Sequence, residues 1–113
     1  MLCSLGIDVG SVSTNLVLLD DKKRLVKKLY LSTSGNPIKT IKNGLRILQE
    51  ELKDLEVFAV GTTGSGRQLA SILVGADIVK NEITAHAAAA LDCYPDTQTI
   101  LEIGGQDSKI III

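Results

Sequence analysis

Residues 6–20 read GIDVGSVSTNLVLLD, and the pattern of apolar and breaker positions in this stretch decides the fold. Leu2–Val9 is apolar and β-branched enough to predict a strand, broken by Gly10-Ser11. Asn15–Leu19 resumes as a second strand, Asp20-Asp21-Lys22-Lys23 makes a polar turn, and Leu25–Leu31 alternates as a third. In that third strand Leu25, Lys27, Leu29 and Leu31 share one face, and Val26, Lys28 and Tyr30 the other. Three short strands joined by tight turns imply an antiparallel meander.

Beyond the meander the period changes. Asn36 is placed to cap a helix and Pro37 to occupy its first position, where a missing N–H costs nothing. Ile38, Ile41, Leu45, Leu48 and Leu52 follow at helical spacing and form one stripe that must lie on a sheet. Glu56–Val60 reads as a fourth strand, parallel to a neighbour because a helix precedes it. Gly61–Gly66 reads as a glycine-rich connector with some mobility, Arg67–Val74 as a helix closed by Gly75, and Asp77–Val79 as a short extended piece. Asn81 caps an alanine-rich helix, Ile83–Asp92, and Thr99–Ile103 reads as a fifth strand before Gly104-Gly105 and a last strand, Lys109–Ile113. The order β-β-β-α-β-α-α-β, then a loop and a strand, predicts an α/β layered domain on a mixed sheet. Four consecutive isoleucines, Ile110–Ile113, want burial and a pairing edge. They suggest an excised domain, and pairing either with another chain or with the domain's own edge.

Composition narrows the function. At 113 residues, 45% hydrophobic and 22% charged, the chain is one globular domain's worth and neither disordered nor fibrous. A net charge of −1 and 3% aromatics argue against nucleic acid as a partner, lacking both phosphate-tracking charge and base-stacking platforms. No apolar run has membrane-spanning length and no signal segment opens the chain, so a soluble, cytoplasmic domain is expected. Cys3 and Cys93 fit no metal spacing and are expected to be buried, reduced thiols.

Three loops have the make-up of phosphate sites. In the first, Asp8 ends a strand and Gly10, Ser11, Val12, Ser13 and Thr14 follow. A strand-end carboxylate suits a hydrated Mg²⁺, while the glycine admits phosphate to the backbone and the hydroxyls add donors. An ordinary hairpin turn has the same composition. The second, Glu102-Ile103-Gly104-Gly105-Gln106-Asp107-Ser108-Lys109, repeats the layout, with a Gly-Gly hairpin as its plain alternative. The third, Gly61-Thr62-Thr63-Gly64-Ser65-Gly66-Arg67-Gln68, is a near miss to a P-loop: Arg67 stands where lysine belongs and Gln68 lacks the hydroxyl for Mg²⁺. Lys22, Lys23, Arg24, Lys27 and Lys28 read as a solvated turn and protected edge strand, and His86 as a packing residue without a carboxylate or Ser/Cys nucleophile at obvious spacing.

Together the loops resemble the actin, hexokinase and heat-shock-chaperone ATPase superfamily, and NEITAHAA (81–88) is similar to the chaperones' connecting-helix segment. More narrowly, GIDVGSVSTNLVLLD, VGTTGSGRQLA, VKNEITAHAAAAL and LEIGGQDSKIIII resemble the BadF/BadG/BcrA/BcrD ATPases. These activate 2-hydroxyacyl-CoA dehydratases or serve benzoyl-CoA reductases.

The resemblance implies a ribonuclease-H-like lobe with a five-stranded mixed sheet over residues 1–104, and the start of a second lobe over 105–113. It implies ATP or ADP with Mg²⁺ as ligands: Asp8 holding the metal through water, and Gly10, Ser11, Val12, Ser13 and Thr14 at the phosphates. Glu82 would orient metal-bound water. Gly104, Gly105, Gln106 and Asp107 would form the other wall, Gln106 or Asp107 placing the attacking water and Asp107 also standing at the metal. It further implies a 4Fe–4S cluster in the complete protein, electron transfer to a dehydratase or reductase component, and a possible homodimer. The Cys-Ala-Ala-Gly-Thr-Gly motif that carries cluster ligands is absent here, so this stretch alone is expected to be inactive. A lobe of a small-molecule kinase, and a non-catalytic interaction module with vestigial phosphate loops, remain alternatives.

Overall fold

The computed structural model describes residues 1–103 and 108–112. Strands β1 (Leu2–Val9), β2 (Ser13–Asp20) and β3 (Leu25–Ser32) form the expected meander. Helix α1 (Pro37–Glu51) leads to β4 (Glu56–Thr63), α2 (Arg67–Val74), the two-residue β5 (Ile78–Val79), α3 (Glu82–Cys93), β6 (Thr99–Ile103) and β7 (Ser108–Ile112). The main sheet has the order β3-β2-β1-β4-β5, with β4 and β5 parallel to their neighbours. This is a five-stranded mixed α/β sheet.

Its core follows from alternation along β1 and β2. Cys3, Leu5, Ile7 and Val9 point to one face, joined there by Leu16 and Leu18, and all are buried. Ile41 and Leu48 of α1 and Ala70 of α2 close over them. Each such aliphatic side chain removed from water is worth about 1.5–3 kcal/mol, so this single layer of contacts carries much of the fold. The α1 stripe behaves as its spacing implies, with Leu45 and Leu52 packed at its margins, but Ile38 in the first turn lies off the sheet at 40% exposure. Gly44 is needed inside the helix because a Cβ there would come 2.9 Å from both methyls of Leu16. Both asparagine caps form, Asn36 accepting from the Lys39 amide and Asn81 from that of Thr84.

Three expectations are corrected. Thr99–Ile103 is a strand but does not join the main sheet; β6 pairs antiparallel with β7, and β5 is the fifth member. Asp77 fixes that outcome, its carboxylate accepting from the Val60 amide and its own amide donating to the Val60 carbonyl, both at 2.8 Å, which lays β5 along β4. The isoleucine run thus finds its pairing edge on β6: Ile110 faces Leu101 and Ile111 faces Ile100. Second, β4 continues through Gly61, Thr62 and Thr63, read as loop, because β1 offers Gly6, Ile7 and Asp8 as parallel partners there. Third, Cys93 is exposed while Cys3 is buried, since α3 buries none of its residues. Among the described residues no helix is long and apolar enough to cross a membrane.

Candidate phosphate and metal site

Asp8 is the last residue but one of β1, its side chain half-buried, and the β1–β2 turn follows Val9. The turn is closed by the Gly10 amide donating to the Ser13 carbonyl at 2.9 Å. It is then braced from β3: the Thr33 amide donates to the Val12 carbonyl, and the Thr33 hydroxyl donates to the Gly10 carbonyl, each at 2.9 Å. With its one hydrogen spent, Thr33 Oγ1 accepts from the Thr14 hydroxyl, also at 2.9 Å. Both threonines are buried.

Thr14 therefore braces the turn from the core side, and its hydroxyl does not reach the open edge. Ser11 and Val12 are exposed and Ser13 half-buried. The Gly10 and Val12 carbonyls accept from Thr33, and the Ser11 and Val12 amides have no hydrogen-bond partner among the described residues. Successive unspent amides on a glycine turn can form an anion-binding concavity. Thr33 escaped the sequence reading, although its place at the exit of β3, opposite the turn, is where a brace must come from.

The third loop is fastened to the end of β1. The Gly66 amide donates to the Val9 carbonyl at 2.9 Å, and the Ser65 hydroxyl reaches the same oxygen at 3.4 Å. Gly64 adopts φ +94°, and a Cβ on it would fall 2.6 Å from Asp8 Oδ1 and 2.4 Å from the Val9 carbonyl oxygen. The loop is wedged against the end of β1 and shapes a cradle around the Asp8 carboxylate. It does not act as a P-loop. Arg67 folds back, its Nη1 donating to the Gly64 carbonyl at 3.1 Å and standing 3.9 Å from Glu82 Oε1. Glu82, at the start of α3, is so drawn to the loop that flanks Asp8.

His86, one turn further along α3, has a carboxylate after all: Nε2 lies 3.9 Å from Glu102 Oε1 on β6, a contact between elements that sequence spacing cannot reveal. The basic cluster behaves as expected for an edge, Lys27 pairing with Glu51 at 2.8 Å and Lys23 with Asp92 at 3.7 Å. Gly104, Gly105, Gln106 and Asp107 lie outside the described residues.

The donor chemistry of this edge suits a hydrated Mg²⁺, which takes one or two carboxylates and keeps several of its waters, and Asp8 supplies one such carboxylate. An iron–sulfur cluster does not fit. Cys3 is buried in the core, Cys93 stands alone at the surface, and no group of three or more His, Cys, Asp or Glu among the described residues could hold a metal.

Comparison with known proteins agrees with this geometry. The model of the BadF/BadG/BcrA/BcrD ATPase family matches residues 5–113. The (R)-2-hydroxyglutaryl-CoA dehydratase activating ATPase of Acidaminococcus fermentans is 36% identical over 112 residues, covering 96% of this chain and 41% of that protein. The crystal structure of A. fermentans (R)-2-hydroxyglutaryl-CoA dehydratase component A superposes with a TM-score of 0.84 at 28% identity, over 100% of this chain and 43% of that one. The activator of the 2-hydroxyisocaproyl-CoA dehydratase from Clostridium difficile, solved with bound ADPNP, gives 0.81 at 29% identity, over 98% of this chain and 41% of the other.

Proposed function

This chain belongs to the BadF/BadG/BcrA/BcrD ATPase family, and from that premise we propose that it is the N-terminal ATP-binding lobe of an activator of a 2-hydroxyacyl-CoA dehydratase or related reductase. The observation that carries the reading is the Asp8 carboxylate held against Gly64, next to a turn whose Ser11 and Val12 amides have no partner among the described residues. A relative solved with bound ADPNP supports a nucleotide as the ligand.

In this reading Asp8 holds Mg²⁺ through water, the Ser11 and Val12 amides with the Ser11 and Ser13 hydroxyls bind phosphate, and Glu82, steadied by Arg67, orients metal-bound water. Gly104, Gly105, Gln106 and Asp107 supply the opposite wall, Gln106 or Asp107 placing the attacking water and Asp107 also standing at the metal. The bound cation would neutralise charge on the transferring phosphoryl group. The protein's share is positioning, which suits a reaction with little covalent chemistry for side chains to do. The hairpin pairing of β6 with β7 argues that the second lobe opens at β6, ahead of residue 105. The chain spans 41% of the length of the activating ATPase it matches, and the cluster, the electron transfer and any homodimer belong to the complete protein.

The test is ATP hydrolysis by the full-length protein. Asp8→Ala and Asp107→Ala should each lower turnover about 100-fold or more, the scale of losing one preorganised electrostatic contact. Near-normal turnover in both would refute the assigned roles.

A further inference from the structure

Two threonines end β4, and they are treated differently. The Thr62 side chain faces the core, and its hydroxyl donates to the Arg67 carbonyl at 3.0 Å, closing the start of α2. Thr63 points the other way. Its hydroxyl oxygen is buried, yet has no hydrogen-bond partner among the described residues. Its cross-strand neighbour is Asp8. Neighbours in a parallel pair share a face, and adjacent strands lie about 4.8 Å apart, so the two side chains stand side by side.

A buried hydroxyl without a partner carries a desolvation penalty comparable to a lost hydrogen bond, and each such group in a native fold calls for a cause. Strand propensity does not supply one. Valine has the same branched shape, suits a strand end at least as well and would avoid the penalty. The position also adjoins Gly64, whose lack of a side chain lets the loop backbone pack directly against Asp8 Oδ1. An unspent hydroxyl and a carboxylate therefore meet at one strand end, beside a loop that only glycine lets come so close.

We propose that the Thr63 hydroxyl is a second protein contact, beside Asp8, for the hydrated divalent cation of the bound nucleotide, accepting a hydrogen bond from a metal-bound water. The inference rests on the nucleotide reading above and adds a residue to it. Thr63 touches the cation's hydration shell and carries no proton in the reaction. Its contribution is to metal affinity and to the orientation of that shell, in the way outer-sphere partners of metal sites act.

The experiment compares Thr63→Val, Thr63→Ala and Thr63→Ser in the full-length protein, with Asp8→Ala alongside. The half-saturating Mg²⁺ concentration is read from Mg²⁺-dependent binding of a fluorescent ADP analogue, and the thermal midpoint is read without nucleotide or metal. Thr63→Val should raise the half-saturating Mg²⁺ about tenfold, the low end of the loss for an outer-sphere partner. Binding of the analogue in EDTA should not change, and the ligand-free midpoint should hold or rise. Thr63→Ala should show the same Mg²⁺ shift, and Thr63→Ser should stay within about twofold of the parent. A Thr63→Val protein with an unchanged Mg²⁺ requirement overturns the inference, as does one whose ligand-free midpoint falls while Mg²⁺ dependence is retained. If Asp8→Ala shifts the Mg²⁺ requirement and Thr63→Val does not, only the Thr63 assignment is lost. If neither shifts it, the nucleotide reading goes too.

Discussion

The two hairpin turns of the meander sit at opposite ends of β2 and are held by opposite means. The β2–β3 turn closes on itself: Asp20 accepts from the Lys22 and Arg24 amides at 2.9 Å and from Arg24 Nε at 2.8 Å. Its donors are consumed by its own carboxylate. The β1–β2 turn has no such internal cap. Beyond the Gly10–Ser13 closure it is held through its Gly10 and Val12 carbonyls by Thr33, a residue of another segment, which leaves the Ser11 and Val12 amides unspent among the described residues. A turn that caps itself is finished, whereas one braced from behind can bind.

That contrast can be broken at three points. The largest effect is expected from Gly64→Ala, which puts a methyl group into the Asp8 carboxylate and the Val9 carbonyl at a backbone angle alanine resists. We expect about 3 kcal/mol of lost stability in urea unfolding, from backbone strain and overpacking together, with nucleotide binding lost in parallel. Next comes Thr33→Val, which keeps the shape but deprives the Gly10 carbonyl and the Thr14 hydroxyl of their partner. A loss of about 1–3 kcal/mol and a severalfold higher KM for ATP should follow; unchanged values would mean the turn needs no brace. The smallest effect is expected from Asp20→Asn at the far turn, with ATP hydrolysis unaffected at neutral pH.

Asp20 also sets a pH dependence. The hydrogen bond from the Arg24 amide, with further help from Lys22 and the Arg24 side chain, holds its carboxyl below the ordinary 3.8. A carboxyl that is more acidic in the folded state stabilises the fold above the unfolded value, and that contribution disappears as pH falls through the folded one. Unfolding midpoints of the parent should therefore drop as pH is lowered below about 3.8, and Asp20→Asn should flatten that part of the curve. An identical acid limb in both proteins would show the turn to be insensitive to its cap.

Local patterns carried much of this into the sequence. The meander, the α1 stripe, both asparagine caps and the strand-ending Asp8 are all legible from periods of two and 3.6 and from cap chemistry. The inward aim of Thr14 was legible too, since it alternates with Leu16 and Leu18, both buried in the core. What stayed hidden depends on register between distant segments. The seat of Gly64 on Asp8 exists only because β4 pairs in parallel with β1, and the contact of His86 with Glu102 only because β6 comes near α3. Composition could not assign β6 to β7, since the fifth place in the main sheet goes to β5, two residues laid along β4 beside the Asp77–Val60 contact. The exposure of Cys93 is not legible because an alanine-rich helix has the same sequence whether or not anything covers it.

The Val9 carbonyl takes hydrogen bonds from Ser65, 56 positions along the chain, and from Gly66. During synthesis the meander can zip up soon after it leaves the ribosome, but the pocket wall waits until the glycine loop has emerged and closed a long-range contact. Such non-local closure is slow relative to hairpin formation. A nascent chain would thus carry a finished hairpin turn for some time before it could retain a metal-bound nucleotide.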